Sequence, residues 1–125
     1  MEIIAREKAL VRLANKASTD LSGKEGFIAE YDSGLKLSGG TNALGVITEG
    51  GATEPDVAIL GTFDGVLRGK AAGTIAVGDK LKVDSNGKLA AYTSGAGTVV
   101  GIALQAGAAD ELVEFAPMAP EVRAA

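Results

Sequence analysis

The sequence contains no cysteine and no histidine. Their absence excludes thiol nucleophiles, disulfide bridges, imidazole bases and the usual zinc ligands together. Aromatic residues make up only 4% of the chain and tryptophan is absent, which leaves little material for a sugar-binding platform. We therefore predict that the protein is not an enzyme and has no catalytic residues, no cofactor-binding residues and no metal site.

Long hydrophobic runs and an excess of positive charge are also missing. No apolar run approaches the roughly 20 residues that a membrane-spanning helix needs. The formal net charge is −4, and the segment 41–66 contains four acidic residues but no Lys or Arg. Acidic faces repel phosphate groups, so we expect neither a nucleic acid nor a membrane as a partner.

Glycine is abundant, at 18 residues, and it is spread among small and branched apolar residues that raise the hydrophobic fraction to 46%. The length of 125 residues suits one domain. Short apolar stretches separated by turn signals such as Asn86-Gly87 are typical of strands joined by tight turns. The pattern predicts an all-β fold, a small Gly-rich β-barrel or sandwich (β-tulip-like). Eight candidate strands follow from it, at residues 26–31, 43–48, 56–63, 65–70, 80–84, 88–93, 99–105 and 112–115.

An internal repeat is the most informative feature of the sequence. Residues 26–37 align without gaps on residues 78–89, and each copy contains an Asp-Ser pair in register. Further along, residues 45–52 match residues 101–108, and Val57 and Ile59 then match Val113 and Phe115. The repeat therefore spans about 26–60 and 78–116, and it predicts two similar halves that bury their apolar faces against each other.

The chain divides into three regions. Residues 1–20 lack glycine and form an N-terminal arm or a short helix; both alternatives stay open. Residues 21–116 form the β body, and residues 117–125, which show no strand pattern, form a surface tail. Bulky apolar side chains in the first region gain about 1.5–3 kcal/mol each when buried. We therefore expect them to contact a partner or a neighbouring subunit, and they are Ile3, Ile4, Leu10, Val11 and Leu13.

Two short motifs resemble reactive sites but fit turns better. Ser85 and Lys88 have the Ser-x-x-Lys spacing of some serine hydrolases, but Ser33 and Lys36 repeat it in the other half. Residues 84–87 resemble the start of a calcium loop but lack its third ligand and its closing Glu. Both motifs are therefore interpreted as hairpin architecture.

The β body from Gly23 to Pro117 resembles the capsid cement, or head decoration, proteins of tailed bacteriophages. The resemblance covers about three quarters of the chain. It rests on patterns of Gly and small apolar residues. In order they are the strand 44–47, the strand pair 57–67, residues 71–81 with their Ala-Val-Gly-Asp-Lys-Leu phrase, residues 84–89, residues 99–106 and the acidic-apolar closing strand.

The resemblance implies a structural protein without cofactors that binds the outer surface of a bacteriophage capsid and stabilises it. The implied partners are the major capsid protein and further copies of the chain in a homotrimer. The implied location is the capsid surface of the virion, after synthesis in the cytoplasm of the host bacterium. The five N-terminal apolar residues then become candidate capsid or subunit contacts.

A second interpretation is a β-barrel binding or carrier module of a bacterial protein. A biotinyl or lipoyl carrier also has two similar halves, but it presents its modified lysine at the tip of a hairpin. In this sequence Lys80 begins a candidate strand, and Lys36 and Lys88 lack the expected flanking residues. Mass spectrometry of the native protein distinguishes the two, because a carrier bears the added group.

Overall fold

Each half of the chain builds one five-stranded antiparallel sheet in the computed structural model, which describes residues 10–12, 19–32, 34–52, 55–61 and 65–124. The first sheet has the order β1-β5-β4-β2-β3 and the second has the order β6-β10-β9-β7-β8. No helix occurs in these ranges, so the predicted all-β class is confirmed. The strands are β1 (Leu10–Arg12), β2 (Ile28–Tyr31), β3 (Leu35–Leu37), β4 (Gly45–Glu49), β5 (Asp56–Ile59), β6 (Leu67–Lys70), β7 (Lys80–Val83), β8 (Leu89–Ala91), β9 (Gly97–Ala103) and β10 (Leu112–Arg123).

The strand pairings confirm the two similar halves. The sheet orders become identical when β1–β5 are replaced in turn by β6–β10. In the centre of the sheets, Ile28 lies opposite Val46 and Lys80 lies opposite Ile102. These two pairs have the offsets of 52 and 56 residues that the sequence alignment gives. All eight candidate strands overlap an observed strand, and β1 and β3 were not among the candidates.

The gapless alignment is wrong by two residues in the outer strands. Three residues separate Tyr31 from Leu35 in the first hairpin, but five separate Val83 from Leu89 in the second. The counterpart of Leu89 is therefore Leu35 rather than Leu37. A similar shift in β10 makes Phe115, rather than Val113, the counterpart of Val57. A slip of two keeps each side chain on its face, because side chains alternate along a strand.

The two sheets pack on each other and enclose a shared core. No strand ladder among the described residues joins the sheets, so they form a sandwich rather than a closed barrel. The first sheet contributes Ile28 and Val46, and the second contributes Leu81, Leu89 and Phe115, all of them buried. This arrangement explains why neither half could bury its apolar face alone.

The two sheets pack through non-equivalent faces, so equivalent positions point in opposite directions relative to the shared core. Ile28 faces the shared core, but its counterpart Lys80 is exposed on the far side of the second sheet. Conversely, Ala29 faces away from the shared core while its counterpart Leu81 faces into it. The far side of the first sheet is covered by a second apolar cluster made of Leu21, Phe27, Ala29, Leu35, Ile47 and Val57. The first sheet is thus buried on both faces, and the second sheet only on one.

The C-terminal region differs from its prediction. A tail without strands was expected from Pro117, but β10 continues to Arg123, and Glu121, Val122 and Arg123 pair with β9. The strand was not predicted because Pro117 and Pro120 interrupt its sequence pattern. Pro117 lies past the last residue of β10 that pairs with β6, and Pro120 lies in an irregularity of the ladder, so no ladder bond needs their missing N–H groups. The other domain boundaries stay predictions.

Candidate interaction surface

The N-terminal contact residues fall partly on an edge strand. In β1, Leu10 lies opposite Ala58 and Val11 lies opposite Val57 at the edge of the first sheet. The backbone is therefore extended at Leu10–Arg12, where a helix was one of the two alternatives. The predicted contacts Ile3, Ile4 and Leu13 lie outside the described residues. Contact of these five residues with a partner stays a prediction.

The Ser-x-x-Lys motif of the second half forms a hairpin turn. The Asp84 carboxylate oxygen Oδ1 accepts hydrogen bonds from the N–H groups of Asn86 and Lys88, each at 2.8 Å. The backbone N–H of Asp84 donates to the carbonyl oxygen of Lys88, also at 2.8 Å. The Asp84 carboxylate thus stabilises the turn by accepting backbone hydrogen bonds. This agrees with the interpretation of the motif as hairpin architecture.

The side chain of Lys88 is paired with a carboxylate. Its Nζ donates a hydrogen bond to Asp110 Oδ1 at 2.7 Å. This hydrogen bond and the positive charge of Lys88 lower the pKa of Asp110 below its usual value. The ion pair links the β7–β8 turn to the turn before β10.

The described ranges contain no group of three or more acidic side chains placed to hold a metal ion. Within the same ranges, no helix is long and apolar enough to cross a membrane. Of the lysines considered for a carrier, two lie in strands, whereas Lys88 lies in the β7–β8 turn with its Nζ paired to Asp110. Lys36 lies within β3 beside Glu30 and Asp32, and Lys80 is the first residue of β7.

A surface that sequence reasoning missed covers the far side of the second sheet, and we term it the outer face. Strand register places its members together: Lys80 lies opposite Ile102, which lies opposite Ala116, and Glu114 lies opposite Arg68. Residues directly opposite on paired strands share one face of a sheet. The outer face comprises Arg68, Lys70, Lys80, Lys82, Ile102, Leu104, Leu112, Glu114 and Ala116.

The outer face combines bulky apolar side chains with a surplus of positive charge. Ile102, Leu104 and Leu112 are 42%, 47% and 42% exposed. Around them lie four basic side chains, and one of these, Arg68, has its Nε 3.9 Å from the carboxylate of Glu114. A net positive face is unusual for a chain whose net charge is −4. The alternating pattern Lys80-Leu81-Lys82-Val83 was the one sequence signal that could have located this face.

Comparisons with known proteins give a family match and a similarity of fold. A family model described as "Phage cement protein" matches residues 4–116. No match was found among the curated proteins. Among solved structures, the chain is similar to the head fiber gp8.5 N base of bacteriophage phi29, with 16% identity and a TM-score of 0.56, over 86% of this chain and 93% of that one. At this identity the structural likeness extends to the fold alone.

Proposed function

This chain belongs to the phage cement protein family, and from that premise we propose that it binds the major capsid protein as a homotrimer and catalyses no reaction. Membership makes it a capsid decoration protein, located on the capsid surface of the virion. The observation that carries the proposal is the family match, which spans nearly the whole chain, from residue 4 to residue 116.

A purely mechanical role is supported by the way polar groups are used. The carboxylates of Asp79 and Asp84 hold turns by accepting backbone N–H groups, and Asp110 closes an ion pair with Lys88. The described residues include no buried side-chain nitrogen or oxygen without a hydrogen-bond partner. A stiff sandwich with satisfied turns is what a reinforcing protein needs, and many copies on one lattice act together.

Association between copies is supported by the apolar side chains left at the surface. Outside the outer face, Tyr31, Val66 and Val122 are 48%, 50% and 67% exposed. Bulky apolar groups that remain in water gain from burial against another subunit. The proposed contacts with the capsid or a neighbouring subunit also include Ile3, Ile4, Leu10, Val11 and Leu13.

The test uses shells assembled without this protein. Purified protein should bind them saturably in cosedimentation, appear on their outer surface by electron microscopy and raise the temperature at which they rupture. Absence of binding would contradict the decoration role. Light scattering in solution and imaging on the particle report the oligomeric state, and a monomer in both settings would reject the homotrimer.

A further inference from the structure

The outer face of the second sheet is more apolar than a solvated sheet face needs to be. Ile102, at its centre, is the counterpart of Val46, which is buried in the shared core of the first half. On the same face, the counterpart of the core residue Ile28 has become Lys80. The outer face therefore corresponds to the face of the first sheet that packs in the shared core. It keeps an apolar residue at its centre, with charged residues around it.

Of the four basic side chains of this face, only Arg68 has an ion-pair partner among the described residues, Glu114. The side chains of Lys80 and Lys82 make no hydrogen bond or ion pair with any described residue, and Lys70 acts on Asp110 only through its charge. By contrast, most described carboxylates already accept a donor of their own chain. These are Asp20, Glu25, Glu30, Asp32, Asp79, Asp84, Asp110, Glu111, Glu114 and Glu121.

We propose that the outer face docks onto an acidic protein surface of the capsid shell, an inference that rests on the decoration role proposed above. Two copies meeting through this face would oppose four basic side chains with four more, which is repulsive. The occupant that suits this charge is therefore an acidic surface of a different protein. The apolar centre then provides the desolvated contact and the lysines provide orientation and rate of encounter.

The experiment measures the affinity of full-length variants for undecorated shells at several salt concentrations. Lys80→Gln with Lys82→Gln should weaken binding about tenfold at low salt, and the difference should shrink as salt screens the charges. Ile102→Thr, which suits a strand, should weaken binding about fivefold without changing the salt dependence.

Matched controls lie elsewhere on the surface. Lys36→Gln removes a positive charge from β3, and Val77→Thr removes an exposed apolar side chain from the turn before β7. Both should bind within about twofold of the natural protein. Circular dichroism and light scattering verify that each variant keeps its fold and its oligomeric state; Lys80→Gln alone replaces the double variant if that one is unstable.

The outcomes separate this inference from the proposal beneath it. Failure of the natural protein to bind shells overturns the decoration role and this inference together. Tight binding by the natural protein, with equal binding by the outer-face variants, overturns this inference alone. Outer-face variants that dissociate the oligomer in solution would assign the face to subunit contacts, which also overturns it.

Discussion

At equivalent positions of the two sheets, the backbone of a neighbouring strand lies so close that only glycine fits. A Cβ at Gly45 would collide with the carbonyl oxygen of Ala58, and one at Gly101 would collide with that of Ala116. Gly45→Ala and Gly101→Ala should each lower the free energy of unfolding by about 1–3 kcal/mol, measured by urea denaturation. The control is Gly73→Ala, where nothing lies within 4 Å and a change within about 0.5 kcal/mol is expected. Equal stability of all three variants would contradict this account.

The Lys88–Asp110 ion pair should make stability depend on pH in the acid range. The hydrogen bond from Lys88 lowers the pKa of Asp110, so the pair contributes stability that is present above the unfolded pKa of about 3.9. That contribution is lost as the pH falls through the lower folded pKa. Asp110 has a positive φ of 68°, which Asn tolerates well, so Asp110→Asn changes the charge and leaves the backbone in place.

Thermal unfolding between neutral pH and about pH 2 checks this prediction. The curve of melting temperature against pH should be flatter for Asp110→Asn than for the natural protein. Lys88→Gln, which removes the other partner, should flatten it in the same way. Parallel curves for all three proteins would show that the ion pair contributes nothing measurable.

Among the elements, the N-terminal segment carries the clearest prediction about attachment. Deleting residues 1–9 spares β1, whose register with β5 covers one edge of the first sheet. The truncated protein should keep its circular dichroism spectrum and lose attachment to undecorated shells, measured by cosedimentation. Unchanged affinity would mean that residues 1–9 are not an anchor, and unfolding would assign them to the core.

The strands that the sequence predicted are those with local signals. Asp84 and Gly87 mark a turn by their own side chain and backbone preferences, and the repeat doubles the weight of such signals. Strand β1 could not be predicted, because its three residues are extended only through pairing with β5, more than forty residues away. The end of β10 was missed because Pro117 and Pro120 disrupt the pattern where the ladder tolerates them.

The outer face was beyond sequence reasoning for a related reason. It brings Lys80 beside Ile102 and Arg68 beside Glu114, pairs that exist only once the register of three ladders is known. In the sequence these residues read as isolated charges and apolar positions. The family resemblance located the partner class, but it carried no information on which face of which sheet meets the shell.

In the whole molecule, the described strands cross from one sheet to the other once, between β5 and β6. The shared core, rather than the connection, should therefore hold the halves together. A protease site placed at residues 62–64 should allow cleavage into two fragments that elute together in size-exclusion chromatography with an unchanged circular dichroism spectrum. Separation of the fragments without denaturant would contradict this expectation. Cleavage of a natural chain that lacks the site is the control.

Such a connection also permits copies of the chain to exchange complete sheets. Residues 61–66 can span about 20 Å when extended, about twice the spacing of packed sheets. A first half can therefore dock on the second half of another chain with every ladder and core contact preserved, which is the condition for domain swapping. The monomer, in which the two halves of one chain pack together, and the swapped dimer then have nearly equal contact energies. A higher chain concentration during refolding should therefore increase the fraction of swapped dimer.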